Sequence, residues 1–421
     1  MNEVTDPMLN TFSPSIFGTF IKEQRHKRNL SIEQFSYMTK YSTATISLFE
    51  NESRSFDIRK FNLFLKGLQL NSDYLSPLEN HLDNYFHQFA IGIIYEKEEQ
   101  IDYYYHLLRE LLSPYKGTTF FIIIHLVNLI YCLYNDSSIA EVPIDQLKDA
   151  SYLFADNVAF LYYMYMAEYA YYINNEFADS LSYFAQSRQI MLKLKTHPYF
   201  QMYHYLLSQH YAAINDYENC LKHCQLAAQD FTEYQNFPRL VNTNIQTARA
   251  YMIIKDYSRA QSIHISTLST AKQLNLVYEE KTIIYNMAYI EMICEHFQHA
   301  YDLFLQIPPS QMNEKHYRRF AYTCIRLNKY DEAKDALFQA SNLIQDNYST
   351  KETRILNYFL QTLNFHQSLK KLIQLYTQSQ NFLTLDEKEY LLHMIIWFSK
   401  QAKQYKKTIH YMELLFRLRI K

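Results

Sequence analysis

The chain has 421 residues, 48% of them hydrophobic, and a formal net charge of −2, so it is long enough for two or three domains with a sizeable core. Only 4 Gly and 9 Pro argue against an α/β enzyme with many tight loops or Gly-rich phosphate-binding turns. The near-neutral charge excludes a protein that is basic throughout, so any nucleic-acid contact must come from a local patch.

The first 15 residues carry acids and lack an apolar segment, so they do not resemble a secretory signal. We expect residues 1–15 to form a flexible N-terminal tail.

Residues 16–75 are predicted to form four or five short helices. Ser31, with Gln34 three residues later, forms a plausible capping box, and Ser42 is a second N-cap candidate. A tight turn between the two helices and small polar residues on the second are typical of a helix-turn-helix domain.

The same region is locally basic. Between residues 18 and 66 there are nine Lys or Arg and five acids, which is the asymmetry that contact with DNA phosphates requires. The alternative is a helical bundle with a solvated basic face.

The pattern of this region resembles the XRE, or lambda-repressor-like, domain. The matching residues are Arg25, Leu30-Ser31, Phe35-Ser36, Thr45-Ile46-Ser47 and Phe49-Glu50-Asn51. The resemblance implies a structural ion pair between Arg25 and Glu50 and a set of residues that face DNA. That set is Lys40, Ser42, Thr43, Ala44, Thr45, Ser47, Leu48, Asn51 and Arg54.

Two features of the DNA-facing set depart from the common pattern. Lys40 stands where the family often has Gly, and the middle of the face offers only small side chains. Specificity is therefore expected to depend on methyl contacts to thymine and on DNA shape. Proteins of this kind bind as dimers, so we expect a homodimer or tetramer whose interface lies beyond residue 75.

From residue 76 to 421 the sequence predicts helices that repeat. Each unit has a polar turn, an aromatic residue, a small residue that allows close helix packing, and a second small or apolar residue seven positions later. The first small residues are Ala178, Cys220, Ala260, Ala300, Ala333, Ser368 and Thr408. This pattern resembles the tetratricopeptide (TPR) repeat and predicts a right-handed solenoid with a concave groove, the alternative being an irregular helical bundle. The predicted fold class is thus all-α, with an N-terminal helix-turn-helix domain followed by a TPR-like solenoid.

The strongest apolar run, residues 118–134, is shorter than the ~20 residues that cross a membrane and contains His125 and Asn128, so a buried helix is predicted. Five scattered cysteines indicate a reduced, cytoplasmic protein without membrane contact.

Cysteine and histidine cluster at two places, residues 220–224 and 294–299, but neither has zinc-type spacing, and the first falls on a repeat core position. Without a catalytic motif in the sequence, we expect no enzyme activity, no cofactor and no metal.

The groove of such a solenoid is lined by the first helix of each repeat. Side-chain amides there can pair with a peptide backbone, and an Arg can bind a carboxylate terminus. The predicted peptide-binding residues are Tyr205, Gln209, Asn242, Gln246, Arg249, Asn286, Tyr289, Arg318 and Tyr322. The alternative is that they are ordinary polar positions facing solvent.

An XRE domain joined to a TPR-like array resembles the RRNPP family of Gram-positive bacteria. The resemblance implies a cytoplasmic quorum-sensing receptor in which a short linear signalling peptide changes the dimer or tetramer and hence binding to a double-stranded DNA operator. One alternative is a TPR interaction module that docks a response regulator or another protein, with an accessory DNA-binding domain. Another is a regulator of phage or plasmid maintenance with a purely structural repeat region.

Overall fold

The computed structural model describes residues 9–51, 57–135, 137–138, 142–173, 176–344 and 346–420. These residues are almost entirely helical, and the described part has no β-strand beyond one isolated antiparallel bridge, between Phe12 and Phe154. The chain divides into two compact units, the first formed by residues up to 210 with 233–236 and the second by residues 211–232 with 237–421.

The helices that begin in the first unit are α1 (Ser15–Lys27), α2 (Ile32–Thr39), α3 (Thr43–Asn51), α4 (Ile58–Gly67), α5 (Ser76–Tyr95), α6 (Glu98–Leu112), α7 (Ile122–Tyr134), α8 (Ile144–Asp149), α9 (Asp156–Tyr172), α10 (Phe177–Leu194) and α11 (Gln201–Ala213). Those that begin in the second unit are α12 (Tyr217–Glu233), α13 (Phe237–Ile253), α14 (Tyr257–Gln273), α15 (Val277–Ile293), α16 (Phe297–Phe304), α17 (Glu314–Arg326), α18 (Tyr330–Leu343), α19 (Asn347–Thr362), α20 (Phe365–Ser379), α21 (Leu385–Gln401) and α22 (Tyr405–Ile420).

The helix ends predicted around the turn between α2 and α3 are confirmed. Ser31 accepts a hydrogen bond from the Gln34 backbone N–H at 3.2 Å, and the Gln34 side chain accepts one from the Ser31 N–H at 2.8 Å. Lys40 ends α2 in the left-handed region, with φ of 61°, which explains why glycine suits this position. The Ser42 hydroxyl then accepts from the Thr45 N–H at 3.1 Å and begins α3.

The predicted ion pair is also present. The Arg25 guanidinium donates to both Glu50 carboxylate oxygens, at 2.7 and 2.8 Å, and to the Leu30 carbonyl at 2.8 Å. Both charged side chains are buried. The hydrogen bonds to Glu50 raise the pKa of Arg25 above its usual value, so the guanidinium stays charged. The pair joins α1 to α3 and thus fixes the angle at which α3 is presented.

The tail was predicted to end at residue 15, which is too late. Residues 1–8 lie outside the described part, but Asn10 and Thr11 donate backbone hydrogen bonds to the Asp83 carboxylate of α5 at 2.7 and 2.8 Å. Phe12 is buried and pairs with Phe154. These two hydrogen bonds fix residues 10 and 11 against α5, and the composition of the segment does not reveal them.

Helix α1 packs on the segment before α7 rather than standing apart from it. The Phe17 and Phe20 rings lie 6.2 and 5.0 Å from that of Phe120, and the Glu23 carboxylate accepts from the Thr119 N–H at 2.8 Å. The boundary predicted at residues 75 and 76 is therefore the start of α5, whereas the compact unit continues to residue 210.

The helix pairs follow the predicted repeat. Consecutive helices pack against each other from α13 to α22. In six turns a residue in the left-handed region stands two positions before an aromatic residue that begins the next helix. These aromatic residues are Tyr217, Tyr257, Phe297, Tyr330, Phe365 and Tyr405. The small residues three positions later, from Cys220 to Thr408, are buried as predicted.

The first repeat was placed two residues out of register. Ala178 is exposed, and the buried small residues are Ser180 and Ser187, which continue the spacing of 40 residues to Cys220 and Ala260. Serine was overlooked because it is less often buried than alanine, although its hydroxyl can bond to its own helix backbone, as that of Ser187 does to Phe184.

The apolar run of residues 118–134 forms α7, and most of its side chains are buried in the first unit. Across the residues that the structure describes, every helix is too short or too polar to cross a membrane.

Candidate functional site

The second unit contains a cavity of about 480 Å³. Side chains of α13, α15 and α17 form its walls, and the N-terminal turn of α21 covers one side. The polar and aromatic residues that line it include Arg249, Lys255, Tyr278, Lys281, Tyr285, Asn286, Tyr289, Lys315, His316, Arg319, Asp386 and Glu389.

One face of α15 supplies the longest wall. Tyr278, Lys281, Tyr285 and Tyr289 are three or four residues apart, so their side chains project from the same side of the helix. Three tyrosine rings in a row offer contact area at a small entropic cost, together with hydroxyls that can donate or accept.

Asn286 lies on the same wall and is only 8% exposed. Its amide nitrogen, Nδ2, has no hydrogen-bond partner among the residues that the structure describes. A buried donor without a partner costs about 1–3 kcal/mol, and a ligand carbonyl would recover that energy.

Two cations of α17 hold Asp386. Its carboxylate is 3.0 Å from the Lys315 ammonium and 3.1 Å from the Arg319 guanidinium. Burial alone disfavours the charged carboxylate, but Arg319 and Lys315 hold the pKa of Asp386 well below its usual range, so it is ionised at neutral pH.

Glu389, one turn further along α21, makes the second set of contacts. It pairs with Lys255 and accepts a hydrogen bond from the Tyr257 hydroxyl at 2.8 Å, at the corner between α13 and α14. The Tyr289 hydroxyl also donates to the Asp386 carbonyl at 3.0 Å. Helix α21 thus contacts repeats more than 90 residues earlier in the chain and closes the cavity by polar contacts that a ligand can exchange.

The cavity is electropositive, with five basic and two acidic side chains among its lining residues. Arg249 and Lys281 have no carboxylate partner within the described part of the chain, and the Lys281 ammonium lies 4.3 Å from the centre of the Tyr278 ring. Burial and the nearby Lys281 lower the pKa of His316 to about 4, so this imidazole is neutral at pH 7. An anionic ligand group therefore has two uncommitted cations to bind.

Of the nine peptide-binding residues predicted, the structure brings three together at this cavity: Arg249, Asn286 and Tyr289. Two others, Asn242 and Gln246, lie on α13 outside it, and Gln246 donates to the Cys220 sulfur at 3.8 Å. Tyr205 and Gln209 belong to the first unit, where Tyr205 is buried.

The predictions for Arg318 and Tyr322 need correction. Arg318 is buried in an ion pair with Glu352, whose second oxygen accepts from the Tyr390 hydroxyl at 3.0 Å. Tyr322 is 1% exposed and packs in the core of the second unit. The inward face of α17 lies one residue later than the sequence predicts, and Arg319 takes the position expected of Arg318.

Sequence reasoning missed Lys281, Lys315 and Arg319, as well as the two acids of α21. The spacing of Tyr278, Lys281 and Tyr285 along one helix was a readable signal. The contribution of α21 was not readable, because it depends on contacts between distant repeats.

The predicted DNA-facing residues lie on and beside α3. Lys40, Ser42, Thr43, Ala44, Leu48 and Asn51 are exposed, Thr45 and Ser47 are half-buried, and Arg54 lies outside the described residues.

Three of these side chains have structural bonds. Ser42 and Thr45 are engaged in the helix cap, and the Asn51 amide donates to the Ser47 carbonyl at 2.7 Å. Lys40, Thr43, Ala44 and Leu48 are the exposed positions left for a partner.

The two cysteine and histidine clusters do not form a metal site in the described residues, where no group of three potential ligands comes close enough. Cys220 and Cys224 are buried with their sulfurs 4.0 Å apart, which agrees with packing. In the second cluster His296 lies 2.8 Å from the Glu291 carboxylate.

Comparison by sequence finds no matching protein-family model and no matching curated protein. Comparison by structure finds similar folds. The apo form of the quorum sensor NprR from B. thuringiensis matches with a TM-score of 0.61 and 15% identity, over 81% of this chain and 99% of NprR.

Two further structures give similar values. The apo form of RapI matches with a TM-score of 0.62 and 12% identity, over 80% of this chain and 97% of RapI. Aspartyl phosphate phosphatase F from Bacillus subtilis matches with a TM-score of 0.56 and 11% identity, over 83% of this chain and 95% of the phosphatase. At these identities the likeness shows the fold alone: the chain is an all-α, TPR-like helical solenoid.

Proposed function

We propose that this protein is a cytoplasmic, DNA-binding transcriptional regulator whose second unit binds a short linear signalling peptide. The observation that carries the proposal is the electropositive cavity with the unpartnered Asn286 amide nitrogen on its wall. NprR has been determined in complex with its cognate peptide NprX, and a Rap protein in complex with competence and sporulation factor, so this fold supports such binding.

A short peptide fits the chemistry of the cavity. The Asn286 amide can donate to a backbone carbonyl, and the row of tyrosines can pack on apolar side chains. Arg249 and Lys281 can hold the terminal carboxylate, as neither has an acidic partner in the described residues. No step of this binding needs a cofactor, a metal or catalysis.

Binding would act through α21. With the terminal carboxylate on Arg249 and Lys281, other acceptor groups of the peptide that reach Arg319 and Lys315 compete with Asp386, which holds the N-terminal turn of α21 against α15 and α17. We infer that the peptide shifts α21, alters the dimer or tetramer, and thereby changes how two helix-turn-helix domains fit an operator.

The peptide proposal is tested by a thermal-shift screen of the full chain against synthetic peptides of five to ten residues. Hits should raise the thermal midpoint of the wild type by several degrees and lose most of that shift in Asn286→Ala. The matched control is Asn242→Ala, which should keep the shift. Asn242 is also an asparagine that the sequence predicts to bind peptide, but it lies outside the cavity. If no peptide raises the midpoint, or both variants respond alike, the cavity is not a peptide site.

For DNA we expect Thr43→Glu to weaken binding to a random-sequence 30-base-pair duplex at least about tenfold, since it places an anion where α3 meets phosphates. Fluorescence anisotropy at several salt concentrations measures the change. Asn62→Glu adds the same charge to an exposed position on α4 and should change affinity less than about twofold. Equal losses in the two variants would argue against α3 as the reading helix.

The second candidate is a protein-interaction module with an accessory DNA-binding domain. It is favoured by the likeness in fold to aspartyl phosphate phosphatase F, whose name describes a phosphatase of aspartyl phosphate and not a DNA-binding protein. Duplex binding alone does not separate the two candidates, since both contain a DNA-binding domain. They differ in the effect of Thr43→Glu on the protein partner, because a module of the second kind should keep its affinity for that partner.

A further inference from the structure

Helix α22 carries an apolar stripe that the core of the second unit does not use. Tyr405, Ile409, Met412 and Phe416 are 64%, 59%, 48% and 65% exposed, whereas Tyr411 and Leu415 of the same helix are buried against α21. The stripe therefore lies to one side of the packed face and is open to a partner.

The spacing of the stripe is that of a coiled-coil seam. Its four residues follow each other at intervals of four, three and four, the alternation by which a and d positions of a heptad face a second helix. Beside it runs a groove of about 720 Å³ with an apolar floor that includes Ile396 and Leu415. Glu295 and Lys400 stand at its rim, so both signs of charge are available.

The charges beside the stripe select the orientation of the second helix. Lys406 and Glu413 are exposed and occupy equivalent e positions of successive heptads. In an antiparallel pair of identical helices, e positions face e positions. Lys406 of each copy therefore meets Glu413 of the other copy. In a parallel pair the e positions face g positions, and these are Thr408 and Leu415, which cannot form ion pairs.

We propose that α22 is the self-association surface of this protein, with two copies related by a two-fold axis and their stripes packed antiparallel. Tyr405 then packs on Phe416 of the second copy, Ile409 on Met412, and two identical Lys406–Glu413 pairs flank the seam. A two-fold interface must be self-complementary in this way.

This surface is linked to the cavity through one helical hairpin. Helix α22 packs on α21, and the first turn of α21 carries Asp386 and closes the cavity. Self-association does not depend on the peptide proposal, but if both hold, a ligand that moves α21 acts directly on the pairing surface.

The test is a charge-swap cycle on the full chain, without peptide or DNA. Sedimentation equilibrium should show a wild-type dimer, with Lys406→Glu and Glu413→Lys each weakening it at least about tenfold, because each change acts twice. The double variant restores opposite charges and should return most of the affinity. Lys407→Glu, the same charge change on the adjacent exposed position away from the seam, is the matched control and should leave the dimer intact.

Circular dichroism of each variant confirms that the helices remain folded. A monomeric wild type at 100 µM, single variants that dimerise like the wild type, or a double variant no better than the singles would each overturn the proposal. Since the assay contains neither peptide nor DNA, its failure is separate from failure of the proposed function.

Discussion

Glu352→Ala should lower the free energy of unfolding of the second unit by about 3 kcal/mol, because the buried Arg318 guanidinium loses its buried carboxylate partner and keeps only the half-buried Glu314 carboxylate, 3.4 Å away. Glu352 is fully buried and also accepts from the Tyr390 hydroxyl, so removal leaves two donors unsatisfied. Trp397 is the single tryptophan of the chain and packs near Tyr322 in this core. Urea unfolding followed by its fluorescence therefore reports on this unit.

Two variants make the result specific. Arg318→Met combined with Glu352→Leu removes both buried charges and should cost less than about 1.5 kcal/mol, because the one carboxylate left unpaired, Glu314, is partly exposed to solvent. Asp331→Ala breaks an exposed ion pair with Lys334 and should cost less than about 0.5 kcal/mol. If Glu352→Ala behaves like Asp331→Ala, Arg318 is not the buried structural residue that we describe.

Glu50→Ala should destabilise the packing of α1 against α3 by about 3–5 kcal/mol, since it leaves the buried Arg25 guanidinium without a carboxylate partner. Hydrogen exchange of the backbone amides of α1 to α3 measures the loss directly. The proposed DNA binding should fall with it, because the ion pair joins α1 to α3.

The fluorescence transition of Trp397 serves as an internal control for Glu50→Ala and should keep its urea midpoint, since the residue belongs to the other unit. Arg25→Met with Glu50→Leu should recover most of the exchange protection. If Glu50→Ala speeds amide exchange only at residues outside α1 and α3, the Arg25–Glu50 ion pair does not have the role assigned to it.

Local signals in the sequence predicted the fold well. The cap at Ser31, the ion pair of Arg25 and the aromatic starts of α12, α14, α16, α18, α20 and α22 depend on spacings of a few residues, which a single chain displays. Three residues of the cavity, Arg249, Asn286 and Tyr289, were predicted because they lie on the inner helices.

The failures have a common physical origin. Arg318 and Arg319 are adjacent, and only the packing of α17 against α19 and α21 decides which of them faces the cavity. Asp386 and Glu389 reach the cavity from a helix about 70 to 130 residues further along the chain. Likewise Asp83 anchors residues 10 and 11 by a contact that no local pattern encodes.

The central claim is that the cavity of the second unit binds a peptide through its free carboxylate terminus. The most direct measurement is isothermal titration calorimetry of the strongest peptide from the screen, with a free and with an amidated C-terminus. In the wild type, amidation should weaken binding at least about tenfold; in Arg249→Gln combined with Lys281→Gln, it should change binding less than about threefold. An equal penalty for amidation in both proteins would contradict the account, since the carboxylate would then be bound elsewhere.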